Sequence, residues 1–493
     1  MEKIIQTILF LILLSGGVHG QNENPRLSQP NILFIMVDDL RPELGCYGKE
    51  VVNSPNIDRL ARRGQLFKRA YVNYPVCGPS RAVLLSGLYA SRNRFQGWNC
   101  SQDQDVPGIM SLPMHFKNNG YSTVSLGKVY NNIDDGKGSW NEVWRPVKTT
   151  SLWDYQSEEG IRIYESLNVD RAMDPRSRDN RNLPKRGLAF ERVNAPDDIY
   201  EDGKIATKAV EKLQEFKNDS KPFFMAVGFK KPHLPFNAPE KYWSHYDSME
   251  IELPGNMYSP QDAPLESLHN YSELRAYYGI PDDGPFTASL AKELIKGYYA
   301  CVSYVDAQIG RVLDGLENLG MDENTIIVLW GDHGWQLGEH DLWCKHSNFS
   351  TSLNIPFIVR IPGIDEGGVK DVLVSSVDVF PTLCDLIGLD KPFHIQGKSF
   401  ASVLKSKNDS GQNYVYARSN LNGESIITQS HNYTEFYDKN GKIVSKMLYD
   451  LEQDPLENTN IAGIDANKNL IDGLSKLLAQ HIENRDVIKL NAE

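Results

Sequence analysis

The sequence predicts an α/β fold, in which a mostly parallel β-sheet is flanked by helices and followed by a smaller C-terminal subdomain with an antiparallel sheet. Two observations support this prediction. Short apolar runs alternate with helical patterns along most of the chain, as in parallel sheets that carry helices on both faces. From about Lys391 onward, the pattern changes to short strands in close succession.

The first predicted strand is the run Asn31–Val37, which leads directly to the carboxylates Asp38 and Asp39. The run is too short to cross a membrane and is typical of a fully buried parallel strand. In an open α/β sheet the ligand crevice lies outside the carboxyl ends of the strands, so both carboxylates are candidates for chemistry. A single aspartate at a strand end is more often a turn or cap residue, and this interpretation therefore needs support from other strands.

The next informative segment is the motif Cys77-Gly-Pro-Ser-Arg81, which is followed by a glycine at position 87. We predict a helix from Ser80 to Leu88 in this segment. Proline and serine are ordinary residues at the start of a helix. The motif alone is therefore a hypothesis that requires a structural context.

Two further predicted strands end beside cationic side chains. The run from Tyr121 to Lys128 ends in Gly-Lys, and the run from Pro222 to Pro235 opens into a loop that carries Lys231 and His233. A lone lysine is normally a solvated surface group, and a lone histidine is often structural. Because these cations follow core strands at one edge of the sheet, we interpret them as functional and expect an anionic substrate.

A fourth strand, Thr325–Gly331, delivers Asp332 and His333 to the same edge, and Lys345 lies in the loop beyond it. Together with the two carboxylates of the first strand, three carboxylates and one imidazole would converge there. This combination indicates a metal site. Oxygen ligands favour calcium or magnesium, while the imidazole leaves a softer metal open.

The other predicted elements complete the alternation. Periodicity predicts helices from Ile57 to Arg63, from Asp202 to Phe216 and from Ala288 to Leu319, and the C-terminal strands Asn413 to Ala417, Glu424 to Thr428 and Asn432 to Phe436.

Taken together, the motifs resemble the type I, formylglycine-dependent sulfatases, and in particular their iduronate-2-sulfatase branch. Besides the Cys77 motif, the resemblance rests on the stretches Val37 to Gly48, Ala226 to Phe236 and Asp332 to His340. It runs from about Asn31 to about Ala462, with a poor match near residues 131 to 200. The resemblance implies an alkaline-phosphatase-like sheet and the small antiparallel C-terminal subdomain of that family.

The resemblance also implies the residues of the site. A formylglycine-generating maturation enzyme would oxidise Cys77 to formylglycine (3-oxoalanine). One calcium ion would then bind the metal set, which is Asp38, Asp39, the modified Cys77, Asp332 and His333. The catalytic set around the sulfate would be Cys77, Arg81, Lys128, His233 and Lys345.

The implied reaction is hydrolysis of an O-sulfate ester, with the hydrated aldehyde as nucleophile and His233 as proton donor to the leaving sugar oxygen. One position departs from the pattern of the branch, because Asn131 stands three residues after Lys128, where a histidine is usual. This departure bears on the identity of the sugar. We expect a sulfated polysaccharide or its oligosaccharides, with an ulvan-type algal glycan ahead of the glycosaminoglycans.

Two other classes of protein remain open. Phosphate and phosphonate ester hydrolases share the fold and the metal edge, and relative activity on matched aryl sulfate and aryl phosphate would separate them from a sulfatase. An exported protein that binds sulfated glycans without oxidation at Cys77 is the second alternative. Peptide mass mapping at Cys77 would decide that case.

The length and the charge of the chain limit the number of domains and the classes of binding partner. A length of 493 residues suits one large domain with a smaller appendage, or two domains. The net charge of -12 argues against general nucleic-acid binding. Between Arg171 and Arg192, however, seven basic residues face three acidic ones. This stretch is either a solvated loop or a guide for a polyanionic substrate.

The N-terminus is typical of a targeting segment, with Lys3 before an apolar stretch from Ile8 to Leu14 and small residues ahead of Gln21. We predict a signal peptide at residues 1–20, a catalytic domain at 21–390 and a C-terminal subdomain at 391–493. The protein is expected to be exported to the periplasm or secreted, without a membrane span. With Cys77 withdrawn, five cysteines remain, so at most two disulfides can form, and we expect none or one.

Overall fold

The computed structural model describes residues 29–147, 154–167, 185–364, 367–405 and 411–488. The predicted signal peptide lies outside these ranges, as does most of the basic stretch from Arg171 to Arg192.

The strands of the described residues account for all four of the predicted core strands. In chain order they are β1 (Asn31–Val37), β2 (Gln65–Tyr71), β3 (Ser122–Gly127), β4 (Glu142–Trp144), β5 (Arg186–Leu188), β6 (Phe190–Val193), β7 (Phe223–Phe229), β8 (Phe236–Pro239), β9 (Tyr277–Tyr278), β10 (Thr325–Gly331), β11 (Gln336–Leu337), β12 (Trp343–Cys344), β13 (Phe357–Arg360), β14 (Gly368–Ser375), β15 (Tyr414–Arg418), β16 (Gly423–Thr428), β17 (His431–Tyr437) and β18 (Ile443–Asp450).

The helices agree with the predicted ones to within three residues at each end. In chain order they are α1 (Pro55–Arg63), α2 (Cys77–Ser86), α3 (Gln102–Asp105), α4 (Leu112–Asn118), α5 (Glu158–Ser166), α6 (Glu201–Lys217), α7 (Glu240–Ser244), α8 (Ser272–Arg275), α9 (Ala288–Asn318), α10 (Ser350–Leu353), α11 (Val379–Ile387), α12 (Ala401–Lys405) and α13 (Lys468–Arg485).

The large sheet has the strand order β14-β2-β13-β10-β1-β7-β3-β4. Strand β13 runs antiparallel to both of its neighbours, and the other pairings are parallel. The prediction of a mostly parallel sheet is therefore confirmed. The four predicted strands lie side by side at its centre, in the order β10-β1-β7-β3.

Side chains of the central strand point alternately into two separate apolar layers. In β1, Leu33 and Ile35 join a cluster that includes residues of α1, α6 and α9. Ile32 and Phe34 join a second cluster with residues of α2, α4 and α11. All seven β1 residues are buried, as expected for a strand covered on both faces.

Helix α2 begins three residues earlier than the sequence predicts. Val76 is extended and precedes the helix, and Cys77 is its first residue. Pro79 is tolerated in this first turn because the first N–H groups of a helix have no partner inside the helix. The helix ends at Gly87, whose φ of 68° is the left-handed conformation that favours glycine.

Beyond residue 410, strands β15 to β18 form an antiparallel four-stranded sheet, which confirms the predicted C-terminal sheet. Helix α13 packs on this sheet through Ile471, Leu474 and Leu478. The Glu457 carboxylate accepts hydrogen bonds from the Ser350 backbone and from the Asn432 amide, and so connects the small sheet to α10. The domain boundary after residue 390 stays a prediction.

All six cysteines are free thiols. None of the helices in the described ranges combines the length and the apolar character needed to cross a bilayer.

Candidate active site

The register of the central strands brings the predicted site residues to one edge of the sheet. Val37 of β1 pairs with Gly331 of β10 and with Phe229 of β7, and Gly127 of β3 pairs with Gly228 of β7. The residues that follow these strand ends therefore emerge side by side. This is the edge at which ligands bind in open α/β sheets.

Helix α2 brings Cys77 to the same edge. All ten residues of the helix are buried, and Cys77 itself is only 6% exposed. A Cβ atom on Gly78 would lie 2.3 Å from the carbonyl oxygen of Trp98, so no larger residue fits behind Cys77. The Ser80 hydroxyl donates to the backbone carbonyl of Asp332, which connects the helix to the end of β10.

Four side chains form a cluster that can hold a metal ion. One ligand atom each from Asp38, Asp39, Cys77 and His333 lies within 4.8 Å of the others. The His333 Nε2 atom is 3.3 Å from the Cys77 sulfur and 3.2 Å from an Asp39 oxygen. Bonds of about 2.3–2.6 Å to a shared calcium ion would put ligand atoms at separations of this size.

The orientation of His333 also fits a metal ligand. Its Nδ1 atom is 2.9 Å from the Gly334 carbonyl oxygen. A carbonyl only accepts, so Nδ1 donates and the lone pair of Nε2 faces the carboxylates. Metal-binding histidines usually donate their other N–H in this way.

Arg81, which the resemblance places around the sulfate, makes its contacts with the carboxylates and with the backbone after β3. Its guanidinium is fully buried behind the carboxylates, where Nε donates to Asp332 at 3.0 Å and Nη2 to Asp38 at 3.2 Å. Its Nη1 donates to the carbonyl oxygens of Lys128 and Val129. Arg81 thus holds β1, β3 and β10 in register and does not line the cavity.

Asp332, a predicted metal ligand, is occupied by the same network. One of its oxygens accepts from Arg81 and the other from the Asp39 backbone N–H at 2.9 Å. It lies 3.5 Å from His333 Nε2 but outside the four-residue cluster. Asp332 therefore connects Arg81 to the backbone of Asp39, which belongs to the cluster.

Two lysines bring positive charge to the carboxylates. Lys128 donates to Asp38 at 2.5 Å, and Lys345 donates to both oxygens of Asp39 at 2.9 and 3.1 Å. The Lys345 ammonium also lies 3.7 Å from the Cys77 sulfur. Both lysines line the cavity, as the sequence predicts for groups that face an anion.

Glu273 joins this network, although no pattern in the sequence predicts it. One of its oxygens is 3.2 Å from Lys345 and 3.2 Å from His233 Nε2, and the other is 3.4 Å from His346. Since His233 Nδ1 faces the Leu234 carbonyl at 2.6 Å, Nε2 is the atom that exchanges a proton. Glu273 lies on the short helix α8, away from any strand end, so nothing in the sequence marks it.

The charges of the site are strongly coupled. Burial alone would raise the pKa of Asp38, but Lys128, His233 and Arg81 hold it well below its usual range. For Asp39, burial outweighs Lys345 and raises the pKa well above its usual range. Burial, followed by the charge of Asp38, raises the pKa of the Cys77 thiol to about 12.

Three residues at or beside the site have strained backbone conformations. Asp39, Cys344 and His346 have φ values of 59°, 72° and 87°, which side chains other than glycine rarely adopt. Each costs about 1–3 kcal/mol and persists where the surroundings determine the conformation. The strain turns Asp39 toward Lys345 and His333.

A cavity of about 470 Å³ opens above these residues. Its floor contains Asp38, Cys77, Lys128, His233 and Lys345, all of which the sequence predicts. Asn131 lies in its wall, where its amide donates to the Trp98 carbonyl at 2.7 Å. An acidic cluster beneath a cavity with several cations suits a hydrolase that acts on anionic esters.

Comparison with known proteins identifies the family. The chain matches the Sulfatase family over residues 30–389, and the C-terminal family of N-sulphoglucosamine sulphohydrolase over residues 338–484. The chain therefore belongs to the sulfatase family and is a sulfuric ester hydrolase.

Individual relatives agree with this assignment. The chain is 31% identical to iduronate 2-sulfatase of Mus musculus over 431 residues, which cover 78% of this chain and 74% of the relative. The solved structure of BT4656 with its substrate D-glucosamine-2-N,6-O-disulfate superposes with a TM-score of 0.71 at 23% identity, over 93% of this chain and 98% of the other. A phosphonate monoester hydrolase of Agrobacterium radiobacter gives 0.70 at 21%, over 92% and 96%. The two structural matches show the shared fold.

Proposed function

We propose that the protein hydrolyses O-sulfate esters of a sulfated polysaccharide or its oligosaccharides, with formylglycine at position 77 and one bound calcium ion. The observation that carries the proposal is the position of Cys77. Its sulfur lies within 4 Å of the Asp39 carboxylate, His333 and the Lys345 ammonium group. A nucleophile there would meet both a metal ion and a cation that binds an anionic group.

A hydrated aldehyde at position 77 would supply two hydroxyl groups, one to attack sulfur and one to release the sulfate afterwards. Lys128 and Lys345 stabilise the negative charge that develops on the sulfuryl oxygens. His233 protonates the leaving sugar oxygen through Nε2, which Glu273 orients at 3.2 Å. Arg81 keeps Asp38 and Asp332 in place.

Calcium fits the donor set. The cluster offers carboxylate oxygens of Asp38 and Asp39, one imidazole nitrogen and the group at position 77. When bound, the cation supplies charge that favours the ionised form of the attacking hydroxyl. Asp332 would join the ligand set only by a small shift of the carboxylate that Arg81 now holds.

The proposed polymeric substrate rests on the relatives and on the charge of the cavity. One relative is named iduronate 2-sulfatase, and one neighbour is described as a 2-O glycosaminoglycan sulfatase. Asn131 replaces the usual histidine in the cavity wall, which favours a different sugar. We propose an ulvan-type glycan first and a glycosaminoglycan second.

The experiment is release of free sulfate by the mature enzyme from ulvan, carrageenan, fucoidan, heparan and dermatan fragments, beside matched aryl sulfate and aryl phosphate. We expect kcat/KM to be highest on a uronic-acid-containing glycan, since binding energy from remote sugars appears in that ratio. A higher kcat/KM on aryl sulfate than on every glycan would overturn the carbohydrate assignment. Preference for aryl phosphate would favour the phosphate ester hydrolases.

We further propose that the protein is exported and that a maturation enzyme oxidises Cys77. Peptide mass mapping of the natively produced protein tests the second point. An unmodified Cys77 thiol in fully active protein would contradict the proposed oxidation. An unmodified thiol in inactive protein would favour the glycan-binding alternative.

A further inference from the structure

Arg145 is a cation of the cavity walls to which the proposed reaction gives no role. It follows β4 and lines both the cavity above Cys77 and an adjoining cavity of about 450 Å³. Its Nη2 donates to the Tyr130 carbonyl at 3.1 Å. Its Nε is buried without a hydrogen-bond partner, and it forms no ion pair with any described residue.

Two neighbouring cations of the cavity already have carboxylate partners. Lys128 is paired with Asp38, and Lys230, which also lines both cavities, is paired with Glu201. Burial, followed by the positive charge of the nearby Arg81, lowers the pKa of Arg145 to about 10. The guanidinium still carries its charge at neutral pH. Arg145 is partly buried, and a cation whose donors are withdrawn from water is normally balanced by a partner of opposite sign.

The position of Arg145 suits a second group on the substrate. Arg81 binds the carbonyl of Lys128 and Arg145 binds that of Tyr130, two residues along the same segment. Lys128, Lys345 and Arg145 line the same cavity, so a sugar with its sulfate on the two lysines can present another substituent to Arg145.

We propose that Arg145 binds a second anionic group of the substrate, the carboxylate of a uronic acid, and so determines specificity for sulfated uronic acids. The inference rests on the proposed function. A planar guanidinium matches the two oxygens of a carboxylate and forms paired, charge-assisted hydrogen bonds with it. A second sulfate group offers similar chemistry, and the experiment separates the two.

The test compares matched substrates that carry one sulfate at the same position. One is a sulfated uronic acid glycoside, and the second is its carboxyl-reduced counterpart, which has a neutral hydroxymethyl group. A third carries an additional sulfate in place of the carboxylate. Wild type should prefer the uronic acid over the reduced substrate by roughly tenfold or more in kcat/KM.

Arg145→Gln should reduce that preference to less than about threefold, mainly through KM, and leave kcat/KM on the reduced substrate unchanged. Unchanged activity there shows that the variant is folded. Arg145→Lys should recover part of the preference. Arg59→Gln is the matched control, because Arg59 pairs with Asp314 and Glu317 and lines neither cavity.

Persistence of the full preference in Arg145→Gln would overturn the inference, as would the absence of any preference in wild type. Preference of wild type for the disulfated substrate, lost in Arg145→Gln, would overturn the carboxylate assignment. Failure of wild type to release sulfate from any of the three sugars, with aryl sulfate still cleaved, would instead overturn the proposed function.

Discussion

At the scale of single residues, the site is organised by a few groups that bind more than one partner. Arg81 uses its guanidinium to hold two carboxylates and two backbone carbonyls. Removal of one member of a buried ion pair typically costs about 3–5 kcal/mol because the other charge is left without a partner. Substitutions at Arg81 are therefore expected to lower the stability of the fold in addition to any effect on catalysis.

Cys77→Ala tests the nucleophile directly. We expect kcat to fall by at least about a thousandfold, because alanine cannot form the aldehyde, whereas the melting temperature and glycan affinity change little. Sulfate release from an oligosaccharide and thermal unfolding provide the measurements. The control is Cys384→Ala, a buried thiol on α11 outside the cavity. Near wild-type turnover by Cys77→Ala would refute the proposed mechanism.

Glu273→Gln tests the orientation of His233. Burial alone would raise the pKa of Glu273, but Lys345 and the hydrogen bonds from His233 and His346 hold it well below its usual range. Loss of this negative charge should lower kcat on sugar sulfates by roughly tenfold or more, because a poor leaving group needs the proton from His233.

On an aryl sulfate the loss from Glu273→Gln should be much smaller, since a phenolate leaves without protonation. The exposed Glu293→Gln on α9 is the control and should behave as wild type. Equal losses on both substrates would show that Glu273 has only a structural role.

At the scale of elements, close approach between strand ends positions Lys128. A Cβ atom on Gly228 would lie 2.1 Å from the Lys128 carbonyl oxygen, so β3 and β7 meet only because this residue is glycine. The same carbonyl accepts from Arg81. The end of β3 is thus fixed from two sides.

Gly228→Ala should therefore destabilise the fold by about 1–3 kcal/mol and lower activity, because it displaces Lys128. Gly473→Ala is the opposite control: its Cβ meets nothing within 4 Å on an exposed turn of α13, and it should stabilise by about 0.5–1 kcal/mol. Urea unfolding measures both variants. An unchanged free energy of unfolding in Gly228→Ala would show that the ends of β3 and β7 can separate freely.

The elements also show how much the sequence predicts. Apolar runs gave the central strands, and the polar residues after them, such as Asp38, Lys128 and Asp332, lie at one edge as predicted. The position of Arg81 depends on partners from three other elements, and that of Glu273, on the short helix α8, depends on contacts with Lys345 and His233. Neither leaves a periodic signal, because only tertiary contacts bring these residues to the site.

At the scale of the whole molecule, the candidate metal cluster connects the residues that follow β1 and β10 to the first residue of α2. Removal of divalent metal should abolish activity and lower the melting temperature. Calcium at a hundred times its dissociation constant should contribute about 2.7 kcal/mol to stability. Calcium should restore activity better than zinc, because carboxylate oxygens dominate the cluster.

Enzyme assays after dialysis against a chelator, followed by addition of each ion, measure this prediction. Magnesium provides a control for charge without the larger coordination shell of calcium. Greater recovery with zinc would contradict an oxygen-dominated site.

The burial of helix α2 has a consequence for the order of events in the cell. All ten of its residues are covered, and Cys77 exposes only 6% of its surface. The proposed oxidising enzyme would need access to a thiol that the folded protein covers. We therefore expect the proposed conversion of Cys77 to precede folding, so that production that outpaces oxidation yields well-folded, inactive protein that later exposure to the oxidising enzyme does not rescue.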